Sequence, residues 1–202
     1  MWYGTAWGVF LFGNEQIITI FAKNKIELMD ISIWNAFADY FQEITLPART
    51  LLLKEGEIAQ NIYLIKEGCM RTWFNNDGKD ITFQFFFEGQ LVASIESFKN
   101  NSPSLFNIES IEPCKLKAIS KVSFLDILLH TPSLKKEFEE LLFQRLFSYQ
   151  RLFLSRIKNS PEQRYQELLK EHPEILLRVS QHYIASYLGI TSVSLSRIRN
   201  RR

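Results

Sequence analysis

The sequence has few of the residues from which catalytic and metal sites are usually built. It carries two cysteines in 202 residues, Cys69 and Cys114, far apart and with no CxxC pair. Neither a disulfide framework nor a zinc or iron–sulfur site is expected from them. The three histidines, His130, His172 and His182, are scattered. Isolated imidazoles lack the partners that a metal or haem site needs. No nucleophile–base pair and no phosphate loop can be picked out, so no enzyme, metal or cofactor is expected.

Long apolar runs are also missing. The opening stretch "MWYGTAWGVFLFGNEQIITIFA" is apolar but is broken by Asn14, Glu15 and Gln16, short of the about 18 residues a span requires. It has no positive leading region and no convincing cleavage site, so it does not read as a secretory signal. A cytoplasmic location with no membrane partner is the default expectation. With 46 % hydrophobic residues in 202, the chain can bury a real core as one large or two small domains.

Acid is absent from the C-terminal end. Residues 178–202 hold five basic and no acidic residues, a net of +5, while the whole chain is +2 and residues 1–177 therefore −3. In that segment Ile184, Ala185, Leu188 and Ile190 are apolar, Gly189 follows Leu188, and the apolar positions resume at Leu195 and Ile198. This predicts two helical stripes separated by a glycine. Gly189 can take positive φ at no steric cost and turn the chain after the first helix. Thr191 can cap the second, which would start at about Ser192. The small Ala185 allows the two helices to cross closely.

This spacing resembles a bacterial helix-turn-helix, whose second helix enters the major groove. If Leu195 and Ile198 face inward, the opposite face carries Ser192, Val193, Ser196, Arg197 and Asn200. Those side chains can read base edges: arginine on guanine O6 and N7, asparagine on adenine, valine on a thymine methyl. The basic residues would sit where phosphates are met.

Between Glu43 and Val92 the pattern is one of short strands divided by glycines at 56, 68, 78 and 89, ten to twelve residues apart. Regular turns at that spacing predict an antiparallel roll or barrel. Asp77 and Gly78 suit the two positive-φ positions of a tight hairpin. After them Ile81, Phe83, Phe85 and Phe87 alternate with Thr82, Gln84, Phe86 and Glu88, a strand with one strongly apolar face. That face reads as core in preference to a ligand cavity.

From about Ser133 to Lys158 there is neither glycine nor proline, and Phe138, Leu142, Leu146, Tyr149, Phe153 and Ile157 recur at helical spacing. Leu141, Phe143, Phe147, Leu152 and Leu154 add a second apolar surface. One long helix is expected, packed on the roll and, by its other face, on its own copy in a homodimer. Ser160 as cap and Pro161 at the first helical position then predict a new helix after a linker.

The run "GEIAQNIYLIKEGCMR" looks like the glycine-to-glycine hairpin of cyclic-nucleotide-binding folds. Followed by a long helix and a terminal helix-turn-helix, it makes residues 33–202 similar to the Crp/Fnr family of transcription regulators. The resemblance implies an α+β fold: an antiparallel β-roll of the double-stranded β-helix or jelly-roll type, a long dimerisation helix and a C-terminal helix-turn-helix domain. On this reading residues 1–28 are an extension, 29–130 the sensor roll, 131–158 the dimerisation helix and 159–202 the DNA-binding domain. The native product is expected to begin at Met29, the alternative being that the extension forms an extra helix on the roll. The resemblance also implies Gln181, His182 and Thr191 as phosphate contacts and Ser192, Val193 and Arg197 as base-reading positions.

Two departures bear on function. Members of the family that bind cyclic AMP place a glutamate on the ribose and an arginine on the cyclic phosphate. By register with Gly89 and Cys114 these positions fall on Ser94 and Ser104. A shifted register would offer Glu96 for the ribose but no arginine, and between Glu88 and Pro113 four acids face only Lys99, so a phosphate would meet net repulsion. Second, four residues follow Ile198, too few for a β-hairpin wing, so Arg199, Arg201 and Arg202 are expected to grip the DNA backbone. The leading expectation is a homodimeric regulator that binds an inverted repeat in double-stranded DNA, with an unidentified effector or none. The alternative is a ligand-binding or protein-interaction module that keeps the fold without using DNA.

Overall fold

The structure is a computed structural model and describes residues 37–200. The proposed start at Met29, the extension before it, Arg201 and Arg202 lie outside the described residues. Eight strands form two antiparallel four-stranded sheets. One has the order β1 (Phe41–Leu46), β8 (Cys114–Ser120), β3 (Asn61–Glu67), β6 (Leu91–Val92). The other runs β2 (Leu51–Leu53), β7 (Asn107–Ser110), β4 (Met70–Asn76), β5 (Lys79–Phe86). Consecutive strands thus alternate between the sheets, and among the described residues β4 and β5 are the one consecutive pair bonded to each other, the rest pairing across the roll.

A tight hairpin joins β4 to β5. Asp77 and Gly78 have φ of 51° and 81°, the two left-handed residues that match the twist of the flanking strands. Asn75 Oδ1 accepts the Gly78 amide at 3.0 Å and closes the turn.

Helix α1 (Ile95–Asn100) lies between β6 and β7. After β8 come α2 (Lys121–His130), α3 (Pro132–Lys158), α4 (Pro161–Glu171), α5 (Ile175–Arg178), α6 (Gln181–Leu188) and α7 (Ser192–Asn200). The stretch expected as one helix from Ser133 is continuous to Lys158. Thr131 precedes it and Pro132 occupies its first turn, where a missing N–H costs nothing. At α4 the cap is complete: Ser160 Oγ accepts Gln163 N–H at 3.3 Å and Gln163 Oε1 accepts Ser160 N–H at 2.8 Å.

Two apolar clusters hold the chain together. The first fills the roll with Ile62, Ile65, Met70, Val92, Ile108, Leu116 and Ile119, closed at one end by Phe124 of α2 and by Leu134 and Leu141 of α3. The second lies outside the roll and joins Cys69, Phe85 and Phe87 to Tyr165, Leu168, Ile175, Val179, Ile184, Ala185, Leu188 and Leu195. Strand β5 and the residue after it therefore bury both faces. Phe86 belongs to the roll core while Phe85 and Phe87 belong to the helical cluster. The apolar face expected from alternation is therefore split: Phe85 and Phe87 join the helical cluster, whereas Phe83 packs on Phe106 of the roll at 5.1 Å between ring centroids. The pairing of β5 with β4 shifts register between Thr72 and Trp73, and such an irregularity moves the alternation to the other side.

The faces of α3 are also rearranged relative to the sequence expectation. Leu134, Phe138 and Leu141 meet the roll, whereas Leu146, Tyr149, Phe153 and Ile157 are exposed together with Phe143, Phe147 and Leu154. The exposed set occupies the C-terminal two-thirds of the helix. Within it Phe143, Leu146, Gln150, Phe153 and Ile157 recur at alternating steps of three and four, the period of a two-stranded coiled coil. Among the described residues no helix is long and apolar enough to cross a membrane.

Candidate functional site

The terminal helix pair forms as local sequence dictates. Gly189 ends α6 in the left-handed region at φ 68°, and its N–H bonds the carbonyls of Ala185 and Ser186. Ile190 N–H also reaches Ala185 O at 3.0 Å, so the last carbonyls of α6 are satisfied as in a Schellman turn. Thr191 Oγ1 accepts the Ser194 amide at 3.1 Å and starts α7. Ile184, Ala185, Leu188 and Leu195 are buried, and the partly buried Ile198 packs against them. The cost of truncating Leu195 would be about 2 to 5 kcal/mol on the usual core scale.

With Leu195 and Ile198 turned in, α7 presents Ser192, Val193, Ser196, Arg197 and Asn200 to solvent on one side, with Arg199 beside them. Gln181 and His182 at the start of α6 and Thr191 before α7 are exposed too. The structure thus leaves every described residue of the expected reading and phosphate sets accessible. Among the described residues, no salt bridge engages Arg197 or Arg199.

Arg178 behaves differently from the other arginines of the basic segment. Its guanidinium makes two parallel bonds to Glu88 and also binds Glu112. Arg178 lies at the end of α5 and the two acids lie on the roll, so this cation ties the helical unit to the roll. The +5 counted for residues 178–202 therefore overstates the free positive charge by one. The Glu88 carboxyl is held down to about 2, chiefly by the Arg178 hydrogen bonds. The same contacts raise Arg178 above the ordinary arginine value.

A buried cation, Arg71, was invisible in the sequence. Arg71, 2 % exposed, is ion-paired to Glu109 at 2.7 Å and to Asp80 at 3.3 Å, and donates to Thr82 Oγ1 at 3.1 Å. Its partners come from the two strands that flank β4, Asp80 and Thr82 from β5 and Glu109 from β7. Three of the four acids counted between Glu88 and Pro113 are thus neutralised by Arg178 or Arg71. The expected repulsion of a phosphate by net negative charge is correspondingly weaker; the lack of an arginine in that segment still holds.

Two further arginines converge on the end of α6. Arg156, from the last turn of α3, donates to Tyr187 O, and Arg164 of α4 donates to Leu188 O at 2.9 Å. Cations at a helix C-terminus meet its unsatisfied carbonyls and the negative end of its dipole. Burial holds Arg156 below the ordinary arginine value, and the charge of Arg164 pushes it the same way.

Inside the roll, Ser94 and Ser104 come together. Both are buried, and Ser104 Oγ lies 3.0 Å from Ser94 Oγ and 2.7 Å from Phe106 O. The two hydroxyls satisfy one another and the backbone. Glu96, in the first turn of α1, is exposed. Cys69 and Cys114 are free, buried thiols. Desolvation pushes Cys114 up to about 11 and raises Cys69 further, so neither is an activated nucleophile. No group of three or more His, Cys, Asp or Glu able to hold a metal occurs among the described residues.

A two-sheet antiparallel roll, followed by a long helix and a helical unit, can be compared with known proteins. Residues 43–131 match the cyclic nucleotide-binding domain family. No curated protein matches the chain. Among solved structures the chain is similar to the c-di-GMP responsive global regulator CLP of Xanthomonas campestris, at 17 % identity and TM-score 0.70, covering 85 % of this chain and 91 % of that one. A CooA mutant from Carboxydothermus hydrogenoformans gives 16 %, 0.71, 88 % and 86 % for the same quantities. A putative transcriptional regulator of the Crp/Fnr family from Eubacterium rectale gives 19 %, 0.69, 86 % and 86 %. At such identities the likeness is one of fold, and it extends over the roll and the helices together. Residues 43–131 thus carry the cyclic nucleotide-binding fold, and structures of the same fold include regulators of the Crp/Fnr type.

Proposed function

We propose that this chain is a sequence-specific DNA-binding transcription regulator that acts as a homodimer. The observation that carries the reading is the exposed face of α7. Ser192, Val193, Ser196, Arg197 and Asn200 stand free while Leu195 beneath them is buried. Arg197 would take guanine O6 and N7, Asn200 an adenine edge and Val193 a thymine methyl, with Ser192 and Ser196 as smaller polar contacts. Gln181, His182, Thr191 and Arg199 would hold phosphates and set the register; Arg201 and Arg202 are proposed for the same task.

The dimer would form through α3. Its exposed Phe143, Leu146, Phe147, Phe153, Leu154 and Ile157 make an apolar surface that a monomer in water has no reason to keep. Gln150, on the same seam, is a polar device of the kind that fixes register. A two-fold axis along α3 would present two copies of α7 to one face of the duplex, so the preferred site is an inverted repeat.

The sensor roll is proposed to work without cyclic AMP, since Ser94 and Ser104 stand where a ribose acceptor and a phosphate-binding cation would be required. Selection of random double-stranded DNA by the full chain tests the function. An enriched inverted repeat is the expected result. No enrichment would favour a module of this fold that does not use DNA.

A further inference from the structure

Strand β5 is the outer strand of its sheet, and an outer strand leaves alternate N–H and C=O groups unpaired along its free edge. Here one side chain takes the place of the missing strand. Ser186 Oγ accepts the Thr82 amide at 2.9 Å and donates to Asp80 O at 2.7 Å. Ser186 belongs to α6, over a hundred residues on. The same two strand residues are held from beneath by Arg71, through Thr82 Oγ1 and the Asp80 carboxylate. One turn before Ser186, the Tyr183 ring lies over that guanidinium at 3.9 Å. One residue after it, Tyr187 packs on Phe85 with ring centroids 5.3 Å apart. Residues 183, 186 and 187 share one face of α6, so this face is fitted to the roll while Gln181 and His182 remain exposed.

From this we infer that Ser186 is a positioning residue for DNA reading: its hydroxyl fastens α6 to the free edge of β5, so that the roll fixes the orientation in which α7 meets DNA. The inference rests on the reading in the preceding section. Leu188 and Leu195 pack α7 rigidly onto α6, so whatever holds α6 holds α7. The link between α3 and α4 is the short Asn159–Ser160 connection, so the orientation of the helical unit is set by its contacts with the roll, at Arg178, at Phe85 and Phe87, and at Ser186, which bonds the free edge of β5 from α6 itself. In a dimer, a swing alters the distance between the two reading helices and hence the half-site spacing that can be bound.

The test uses the full-length chain with Ser186→Ala, which removes both bonds, and Ser186→Thr, which restores a hydroxyl. Amide hydrogen exchange at Thr82 reports the bond directly. Exchange at Thr82 should be about tenfold or more faster in Ser186→Ala, with the amide of Ile65 unchanged and Thr restoring protection. On selected DNA the wild type should accept one half-site spacing. Ser186→Ala should bind sites with about one or two base pairs added or removed nearly as well as the original, whereas loss of packing alone would weaken all sites equally. Unchanged exchange at Thr82 would show that the bond does not hold α6. Faster exchange with an unaltered spacing preference would overturn the positioning role. If the wild type selects no DNA, the DNA reading fails, while exchange at Thr82 still decides whether Ser186 fastens the unit.

Discussion

Arg178 and Glu88 are joined by two parallel hydrogen bonds, Nη1 to Oε2 at 2.9 Å and Nη2 to Oε1 at 2.7 Å. The fork geometry matches guanidinium to carboxylate and ties the start of the terminal helical unit to the roll. Glu88 Oε1 also accepts the Gly68 amide at 2.8 Å, so the carboxylate joins three segments.

The pH dependence of this tie follows from the direction of the shift. The Glu88 value is lowered from 4.5 to about 2, so its contribution is fully present above pH 4.5 and is lost as pH falls through about 2. The side-chain carbon resonance of Glu88 should titrate with a midpoint near that lower value. In Arg178→Met it should move up toward 4.5. A midpoint near 4.5 in the wild type would mean that the pair is broken in solution. Glu88 is partly exposed, so the tie is a device of orientation more than of global stability.

The exposed face of α3 predicts the assembly state. Phe153 is 65 % exposed in the single chain and would lie at the centre of the seam. Phe153→Glu should place two like charges across the two-fold axis and give a monomer in sedimentation, with the far-ultraviolet spectrum of the roll retained. Since only a dimer presents two reading helices, the same variant should lose specific DNA binding by well over tenfold. A Phe153→Glu protein that still sediments as a dimer would point to another surface.

Cyclic AMP should not act as effector. A bidentate arginine–phosphate contact in a desolvated site is worth roughly 2 to 5 kcal/mol, and its loss turns a micromolar site into one near millimolar or weaker. The proposed phosphate position is Ser104, whose hydroxyl is already taken by Phe106 O and Ser94. Titration calorimetry should therefore show no micromolar binding. Heat consistent with a micromolar Kd would refute the assignment of Ser94 and Ser104.

What the sequence could and could not disclose follows from the range of the interactions. The helix pair was legible because its determinants are local: a glycine with positive φ, a threonine cap and aliphatic residues three and four apart. The Asp77–Gly78 turn and the Ser160 cap were legible for the same reason. Arg71, Ser186 and the role of Arg178 were not. Each has a partner far along the chain, 38, 104 and 90 residues away, and each residue taken alone is an ordinary polar side chain. The split of the β5 aromatics between the two clusters was missed because strand alternation does not report a register shift in the pairing with β4. Repulsion inferred from four nearby acids was overstated because their counter-ions come from distant elements.

The reading face gives the sharpest prediction, because Arg197 and Arg199 are two residues apart in the sequence but differ in kind. Both are exposed on α7. Arg197 lies in line with Val193 and Asn200, on the side that would enter the groove, whereas Arg199 stands at the edge of that face. Arg197→Ala should cost about 1 to 3 kcal/mol per half-site and relax the choice of base at one symmetric position. Arg199→Ala should weaken binding to all sequences alike and flatten the salt dependence by about one unit per lost phosphate contact. Selecting random-sequence DNA with each variant at two salt concentrations separates the two signatures. If Arg197→Ala keeps the wild-type motif and only lowers overall affinity, Arg197 is a phosphate clamp, and specificity must come from Asn200, Val193 and the two serines instead.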